Sequence, residues 1–278
     1  MTSYTNDDLY QICLNRLRKD RRGSINPEEF ESFLRYRNLD YFNKQIGPED
    51  MSKMNHDSLL PFLITFAQVP DATSTNGVEF AYLGTEVIGL GLNLTYEVAH
   101  IVNVWAEYSV DGVSLATRIP VDLLSSAEYH DRFTNSITNG TATNPIAYRA
   151  TYNYWNGAVY YNEIPVLFTQ GIPPTSYGVW LDYYRYPADP YFDYYTDANG
   201  NITYLTDGRA AYTLLTGEVA RDGKVAGQAV TSASEDLKWR DQDAINIIDM
   251  VVSDISIALS DPNSFEASML ERKENISS

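Results

Sequence analysis

The sequence is poor in cysteine, histidine and positive charge. Its single cysteine, Cys13, occupies an apolar position of a predicted helix, which excludes a disulfide framework and a Cys-rich metal site. The three histidines, His56, His100 and His130, have no partner at helical ligand spacing, so we expect surface or capping roles for them. Lys and Arg number 20 against 37 Asp and Glu, a net charge of -17. An extended grip on nucleic acid is therefore not expected, because it requires clustered cations.

The sequence also lacks a long apolar run. The longest one, residues 59–67, is interrupted by Pro61 and Thr65 and is too short to span a membrane. The first residues show neither a basic region nor an apolar region of the signal-peptide kind. We expect a protein made and assembled in a cytosol, with no membrane partner.

One turn imitates a calcium loop. Gly23 stands where such a loop requires glycine, and Asp20 and Glu29 fall on ligand positions. Arg18 and Arg22, however, occupy positions where carboxylates are needed, and their charge would repel Ca²⁺. We therefore expect a simple turn between two helices, no metal and no cofactor.

Catalytic motifs are missing as well. The sequence contains no G-x-S-x-G, no glycine-rich phosphate loop and no dinucleotide-binding fingerprint. Asp182 and Glu163 lie among tyrosines, as the carboxylates of a glycosidase would, but carboxylates also keep a two-sided strand soluble. With no specific motif, we predict that the protein is not an enzyme and has no catalytic residues.

Residues 1–50 read as a helical hairpin. The first helix is predicted to start after Asn6. The second has a strong start signal, with Asn26 as the N-cap, Pro27 at the first position and Glu29 three residues after the cap. Gly47 followed by Pro48 is predicted to end it.

Residues 51–232 are predicted to form a β-rich domain. Asn156-Gly157 and Asn199-Gly200 each separate two strand-like runs, which is typical of tight hairpin turns. Several prolines keep the strands short or at edges. Helices around a β-rich, antiparallel, sandwich-like middle make the predicted fold class α+β.

The segment 233–262 is predicted to be a long C-terminal helix that packs back on the helical part. Ser234 is the expected start, and Asp261-Pro262 the expected end. Residues 263–278 are polar and are predicted to be a flexible tail. The apolar stripe of the helix consists of Ile245, Ile248, Val252, Ile255 and Leu259.

The run 179–187 carries bulky side chains on both faces of a predicted strand. A sheet with one wet face would not place a second row of rings there. The second face is buried either against another layer of the same chain or against another subunit, since aromatics are enriched in interfaces. The hypothetical subunit interface consists of Trp155, Trp180, Tyr184 and Tyr186.

A compact basic cluster ends the first predicted helix. Cations there stabilise the helix dipole, or else form a docking patch for an acidic partner or for DNA at one point. Both interpretations remain open. The cluster consists of Arg16, Arg18, Lys19, Arg21 and Arg22.

Several segments together resemble the ring, or head-to-tail adaptor (connector), proteins of short-tailed bacteriophages, most closely those of crAss-like phages. The N-terminal hairpin is similar to their opening motif, with Ile25-Asn-Pro-Glu-Glu-Phe30 leading a helix to Asp40-Tyr-Phe42. The similarity continues from about 115 to 190, through Ile119-Pro120, Glu128-Tyr-His-Asp-Arg132, Ile137-Thr138, Asn144-Pro-Ile-Ala-Tyr148, Pro173-Pro174 and Leu181-Asp-Tyr-Tyr-Arg-Tyr-Pro187.

The resemblance implies a structural virion protein of the neck or tail, assembled in the host cytoplasm. Copies would form a homo-oligomeric ring, typically dodecameric, between the portal and neighbouring ring or tail proteins. The ring would help to retain the genome and then conduct it at ejection, with DNA passing through without specific binding. The alternative is a tyrosine-rich carbohydrate-binding module without catalysis, against which the missing export signal counts.

Overall fold

The computed structural model describes residues 4–19, 25–47, 56–69, 71–73, 79–82, 98–108, 117–135, 137–155, 160–172, 178–206 and 211–260. Helices and antiparallel sheets are both present, with helices towards the two ends and a β-rich middle. The predicted α+β class is confirmed.

The described elements follow one another in this order. The helices are α1 (Asn6–Lys19), α2 (Pro27–Ile46), α3 (His56–Leu59), α4 (Ser126–Thr134) and α5 (Asp241–Ser260), and a 3₁₀ turn (Leu60–Phe62) follows α3. The strands are β1 (Leu63–Val69), β2 (Asp71–Thr73), β3 (Glu79–Tyr82), β4 (Val98–Tyr108), β5 (Thr117–Pro120), β6 (Asp122–Leu124), β7 (Ile146–Trp155), β8 (Tyr160–Gln170), β9 (Gly178–Arg185), β10 (Asp193–Thr196), β11 (Ile202–Leu205), β12 (Tyr212–Thr213), β13 (Val219–Ala220) and β14 (Ala229–Val230).

The chain divides into two compact units. A helical unit combines Met1–Pro61 with Pro187–Ser278, and a sandwich unit consists of Phe62–Tyr186. Residues 187–232, which the sequence pattern assigns to the β-rich domain, group with the helices in this division. The domain boundaries derived from the sequence stay predictions, and the tail 263–278 lies outside the described residues.

The start and end signals of α2 act as predicted. The backbone N–H of Glu29 donates to Asn26 Oδ1 over 2.7 Å, and the Glu29 carboxylate accepts from the Asn26 N–H over 3.4 Å. Pro27 occupies the first helical position, where a missing N–H costs nothing. At the other end, Gly47 adopts a φ of 74° and donates its N–H to the Asn43 carbonyl. This capping box and glycine stop are local effects, which explains why the sequence reveals them.

In the helical unit, α5 packs against both α1 and α2. Phe30, Leu34 and Phe42 of α2 are fully buried, as is Trp239 just before α5. The Trp239 indole N–H donates to Asn38 Oδ1 over 2.7 Å, so that the largest buried ring also has its polar atom satisfied.

The predicted start of α5 is wrong. The helix begins at Asp241, seven residues after the expected Ser234. Ser234 is instead buried beside the small sheet, where its hydroxyl accepts from the Asp193 N–H and donates to the Leu205 carbonyl. Serine is common at helix starts because its oxygen accepts backbone N–H groups, and here a β-strand supplies that N–H.

The predicted buried face of α5 is rotated by about one residue. Ile247 and Val251 are fully buried, whereas Ile245 and Val252 are only partly buried and Leu259 is 48% exposed. Ile248 and Ile255 are buried as expected. Apolar residues cover more than one face of this helix, so its period alone does not select the face.

Residues 191–235 add two small sheets to the helical unit. The larger one has the strand order β11-β10-β13. The predicted turn at Asn199-Gly200 is confirmed: Gly200 has a φ of 83°, and the Asp197 carboxylate accepts from the N–H groups of Asn199 and Asn201. A small apolar cluster lies beside these strands and consists of Tyr195, Leu205, Leu214, Ala220 and Val230.

The sandwich unit consists of two sheets and one helix. Sheet A has the order β1-β9-β4-β5, and sheet B the order β2-β3-β8-β7-β6. Only Val121 separates β5 from β6, so the chain passes directly from one sheet to the other. β7 and β8 pair antiparallel as predicted, and their turn at 156–159 lies outside the described residues. The core between the sheets includes Val104, Tyr108, Ala147, Leu167, Val179, Leu181 and Tyr183.

Candidate functional site

Strand β9 lies in the middle of sheet A, between β1 and β4. Its inner face, which includes Leu181 and Tyr183, is almost fully buried in the core between the sheets. Its outer face carries Trp180, Asp182 and Tyr184 in alternation. For this outer face the sequence predicts either another layer or another subunit.

The structure treats the four hypothetical interface residues differently. Tyr184 is only 2% exposed, so its ring packs inside the chain itself, the first of the two alternatives for that residue. Trp180 is partly exposed, and Tyr186 is 38% exposed just beyond the strand. Trp155 is the last residue of β7. Trp180 and Tyr186 are thus the described members with ring surface available to a partner.

Asp182 holds the outer face together. One carboxylate oxygen accepts the backbone N–H of Phe66 over 2.9 Å. The other accepts the Asn103 amide over 3.0 Å and the Trp105 indole N–H over 3.2 Å. Asp182 is 8% exposed, and its three donors come from both neighbouring strands. Its contacts are those of a structural carboxylate, and the Glu163 side chain lies outside the described set.

The hydrogen bond to Phe66 fixes a bulge in β1. The register of β1 on β9 shifts between Ile64 and Ala67, and Phe66 adopts a φ of 52° there. It is the one non-glycine residue with a positive φ in the described ranges, a conformation that is costly for an aromatic residue. As a result, the Phe66 ring is 49% exposed. A bulge re-aims a side chain in this way at the edge of a sheet.

Arg118 of β5 completes an aromatic and cationic surface. Its guanidinium carbon lies 4.4 Å from the centroid of the Phe66 ring and 5.0 Å from that of Trp180. Its Nε is 3.7 Å from the Glu107 carboxylate, a long and partly exposed ion pair. We call Phe66, Arg118 and Trp180 the aromatic face. Two flat rings around one cation suit an apolar partner that carries a carboxylate, or a sugar ring.

Helix α4 lies on the outer side of sheet B. It begins with a capping box in which Ser125 and Glu128 exchange hydrogen bonds. The Tyr129 ring packs on Tyr148 of β7 with centroids 4.4 Å apart, and Tyr148 stacks on Phe168 of β8 at 5.2 Å. The helix therefore covers the aromatic part of this sheet.

The Tyr129 hydroxyl is buried and has no hydrogen-bond partner among the described residues. Burial raises the pKa of Tyr129 to about 12, with the nearby Tyr148 contributing in the same direction. At neutral pH the group is protonated and unsatisfied, which costs stability.

The loop after α4 presents a highly exposed isoleucine. Ile137 is 89% exposed, and Phe133 at the end of α4 is 40% exposed. The loop that follows is anchored: Tyr108 donates its hydroxyl to the Ala142 carbonyl over 2.6 Å, and Gln170 Oε1 accepts from the Gly140 N–H over 3.1 Å. We call the surface of α4 with this loop the α4 side.

Only part of the basic cluster falls within the described residues. Arg16 forms an ion pair with Asp249 of α5, so its charge serves a contact inside the helical unit. Arg18 is exposed, and Lys19 is the last residue of α1. Arg21 and Arg22 lie outside the described residues. A docking role for the cluster stays a prediction.

The three histidines are separate from one another. His130 is exposed on α4, with Nδ1 2.7 Å from the Ser126 carbonyl oxygen. His100 belongs to β4, and His56 is the first residue of α3. Across the described ranges, no group of three or more His, Cys, Asp or Glu residues is placed to hold a metal ion. In the same ranges, no helix is both long and apolar enough to cross a membrane.

Phe66 and Arg118 were not among the residues that the sequence singled out. Phe66 stands in an apolar run that predicts burial, and only the bulge turns it outward. Arg118 is an ordinary cation in a short strand until the register places it beside the rings of β1 and β9. No local signal marks either residue, because both depend on strand pairing. No protein-family model matches this chain, and no curated protein matches it significantly.

Proposed function

We propose that this chain is a structural virion protein that forms a ring between portal and tail of a short-tailed, crAss-like bacteriophage. In this role it is a head-to-tail adaptor that contributes to genome retention and to the ejection channel. The order of motifs from the helical hairpin to the tyrosine-rich strand supports the proposal. No catalytic step is part of it.

The observation that carries the proposal is the exposed aromatic face. Sheet A holds Trp180 and Arg118 on its outer surface and turns the Phe66 ring into solvent at the cost of an unfavourable backbone conformation. Exposed aromatic and arginine side chains are the residue types that concentrate in the cores of protein interfaces. A ring subunit needs such a surface, because each copy must bind its neighbours.

The charge of the chain supports the same role. A net charge of -17 gives a surface that repels the phosphate backbone. A channel through which DNA slides must not bind it tightly. An acidic ring satisfies that requirement without any specific contact.

Native mass spectrometry of the purified protein tests the proposal, first alone and then after mixing with portal and tail components of its source particle. We expect a closed, high-order oligomer in at least one condition. A strict monomer in both would overturn the ring assignment.

Phe66→Asn provides a matched variant for this experiment. Asparagine tolerates the left-handed backbone that Phe66 adopts, so the ring is removed without added strain. We expect the variant to weaken assembly by at least about tenfold, as loss of an interface anchor does. The control is Ile202→Asn, which removes a 39% exposed apolar residue from the helical unit and leaves the aromatic face intact.

The alternative function is a carbohydrate-binding module, and the exposed rings of Phe66 and Trp180 are the observation that favours it. Sugars stack on such rings. A glycan array probed with the monomer distinguishes the two functions: binding that Phe66→Asn abolishes would support the module and count against the ring.

A further inference from the structure

We propose that the aromatic face of one copy docks on the α4 side of the next copy, in a head-to-tail contact that repeats around the ring. The inference deepens the proposed function and rests on it in one respect, namely that this contact closes into a ring. The partner is a second copy of this chain.

The two surfaces lie on opposite sides of the sandwich unit. Trp180 belongs to the outer face of sheet A, and its neighbours in sequence, Val179 and Leu181, face the core. Tyr148 belongs to the outer face of sheet B, where it carries α4, while its neighbour Ala147 faces the same core. A heterologous contact requires two different surfaces that point away from each other, since one subunit must meet a neighbour on each side.

The two surfaces also complement each other in chemistry. The aromatic face offers two rings and one cation, Arg118, whose own ion pair is long. The α4 side offers the apolar Phe133 and Ile137, together with the exposed carboxylate of Asp131. Asp131 has no ion-pair partner among the described residues. An apolar contact around one new ion pair results when the two surfaces meet.

The overall charge makes this pairing selective. With 37 acidic residues against 20 basic ones, most orientations of two copies bring like charges together. Association is favoured only where a cation of one copy meets a carboxylate of the other in an apolar surrounding. Arg118 against the acidic α4 meets that condition.

Both surfaces are preorganised for binding. Asp182 fixes the backbone of Phe66 through a 2.9 Å hydrogen bond. The loop after α4 packs so closely on the end of β8 that a Cβ on Gly171 would lie 2.6 Å from the Thr141 nitrogen. Side chains that are exposed on fixed backbone lose little entropy on binding, so they act as anchors.

Two complementary variants test the contact. The first, Phe66→Asn with Arg118→Glu, disables only the aromatic face. The second, Asp131→Arg with Ile137→Asp, disables only the α4 side. All four positions are exposed or at the surface, so both proteins are expected to fold, and circular dichroism checks this before mixing.

Each variant alone is expected to stay monomeric in native mass spectrometry, with portal and tail components added if the wild type requires them. Mixed together, the variants keep one intact surface each and are expected to form 1:1 dimers that grow no further. A chain that carries both Arg118→Glu and Asp131→Arg restores the ion pair with reversed sign, and we expect it to recover at least about tenfold of the lost association.

The outcomes separate this inference from the proposed function. Rings that form equally well from either variant alone would overturn the contact and leave the adaptor role standing. Dimers in the mixture without any binding to portal or tail components would support the contact and overturn the adaptor role. Monomers under every condition, or loss of glycan binding as the effect of Phe66→Asn, would overturn both.

Discussion

At the scale of single residues, Asp182 illustrates how one buried carboxylate organises a surface. Its two oxygens accept three hydrogen bonds, from the Phe66 N–H on β1 and from Asn103 and Trp105 on β4. The sequence shows an acid among tyrosines, which suggests catalysis as readily as structure. Its meaning comes from donors that lie 77 to 116 positions away along the chain.

We predict that Asp182→Asn lowers the free energy of unfolding by about 1–3 kcal/mol. The amide keeps only one acceptor oxygen, so at least one buried donor loses its partner. Urea denaturation followed by tryptophan fluorescence measures the change. Asp131→Asn, at an exposed site on α4, is the control and should stay within about 0.5 kcal/mol. Equal stability of the two variants would contradict a structural role for Asp182.

Tyr129 leads to a prediction about alkaline pH. Burial raises its pKa to about 12, whereas an unfolded tyrosine ionises near pH 10. Below pH 10 both states are protonated and this residue adds no pH dependence. Between about pH 10 and 12 the unfolded state loses its proton first, so the free energy of unfolding falls as the pH rises.

Tyr129→Phe removes both the titration and the unsatisfied hydroxyl. We expect the variant to gain about 1 kcal/mol at pH 7, because a buried donor without a partner is lost. Its stability should also decline less steeply above pH 10 than that of the wild type. Denaturation curves from pH 7 to 11 measure both effects, with Tyr186→Phe at a 38% exposed tyrosine as the control. A destabilised variant would show that the hydroxyl has a partner in solution.

At the scale of secondary-structure elements, a buried ion pair joins α2 to α5. Arg37 donates from Nε and Nη2 to the two carboxylate oxygens of Asp254, each over 2.5 Å, and from Nη1 to Asp40 over 2.7 Å. The Arg37 side chain is 13% exposed and that of Asp254 7%. This pair explains how an aspartate lies on the buried face of α5, a position that an apolar stripe does not predict.

We predict that Asp254→Asn costs about 3 kcal/mol, because it leaves a buried guanidinium without its main counter-charge. Lys44→Ala is the matched control: it removes an ion pair to Asp40 from a side chain that is 58% exposed, and should cost less than about 0.5 kcal/mol. Thermal unfolding followed by circular dichroism compares the two. Similar losses from both variants would mean that α2 and α5 do not depend on the buried pair.

At the scale of the whole molecule, the chain enters the sandwich unit once and leaves it once. The unit spans Phe62–Tyr186 without interruption and contains its own core between two sheets. A continuous segment with its own core meets the requirement for folding alone.

We therefore predict that a fragment of residues 62–186 folds by itself. It should show a near-ultraviolet circular dichroism signal from its packed aromatic residues and one cooperative thermal transition. A fragment with the same segment and Leu181→Ala is the control, which should unfold at lower temperature because it opens a cavity in the core. A fragment without a cooperative transition would show that the unit depends on the rest of the chain.

Local chemistry fixes the features of this protein that can be read directly from its sequence. The α+β class, the capping box at Asn26, the stop at Gly47 and the turn at Asn199-Gly200 follow from periodicity and from residues that bond within a few positions of themselves. These signals need no knowledge of the rest of the molecule.

Tertiary packing selects which groups meet across long separations. The buried face of α5 depends on Arg37, 217 positions from Asp254. The outward turn of Phe66 depends on Asp182, and its place beside Arg118 depends on the register of sheet A. A sequence pattern carries the period of an element and the chemistry of its ends, whereas the partner of a buried charge or a bulged backbone is known only once the elements have packed together.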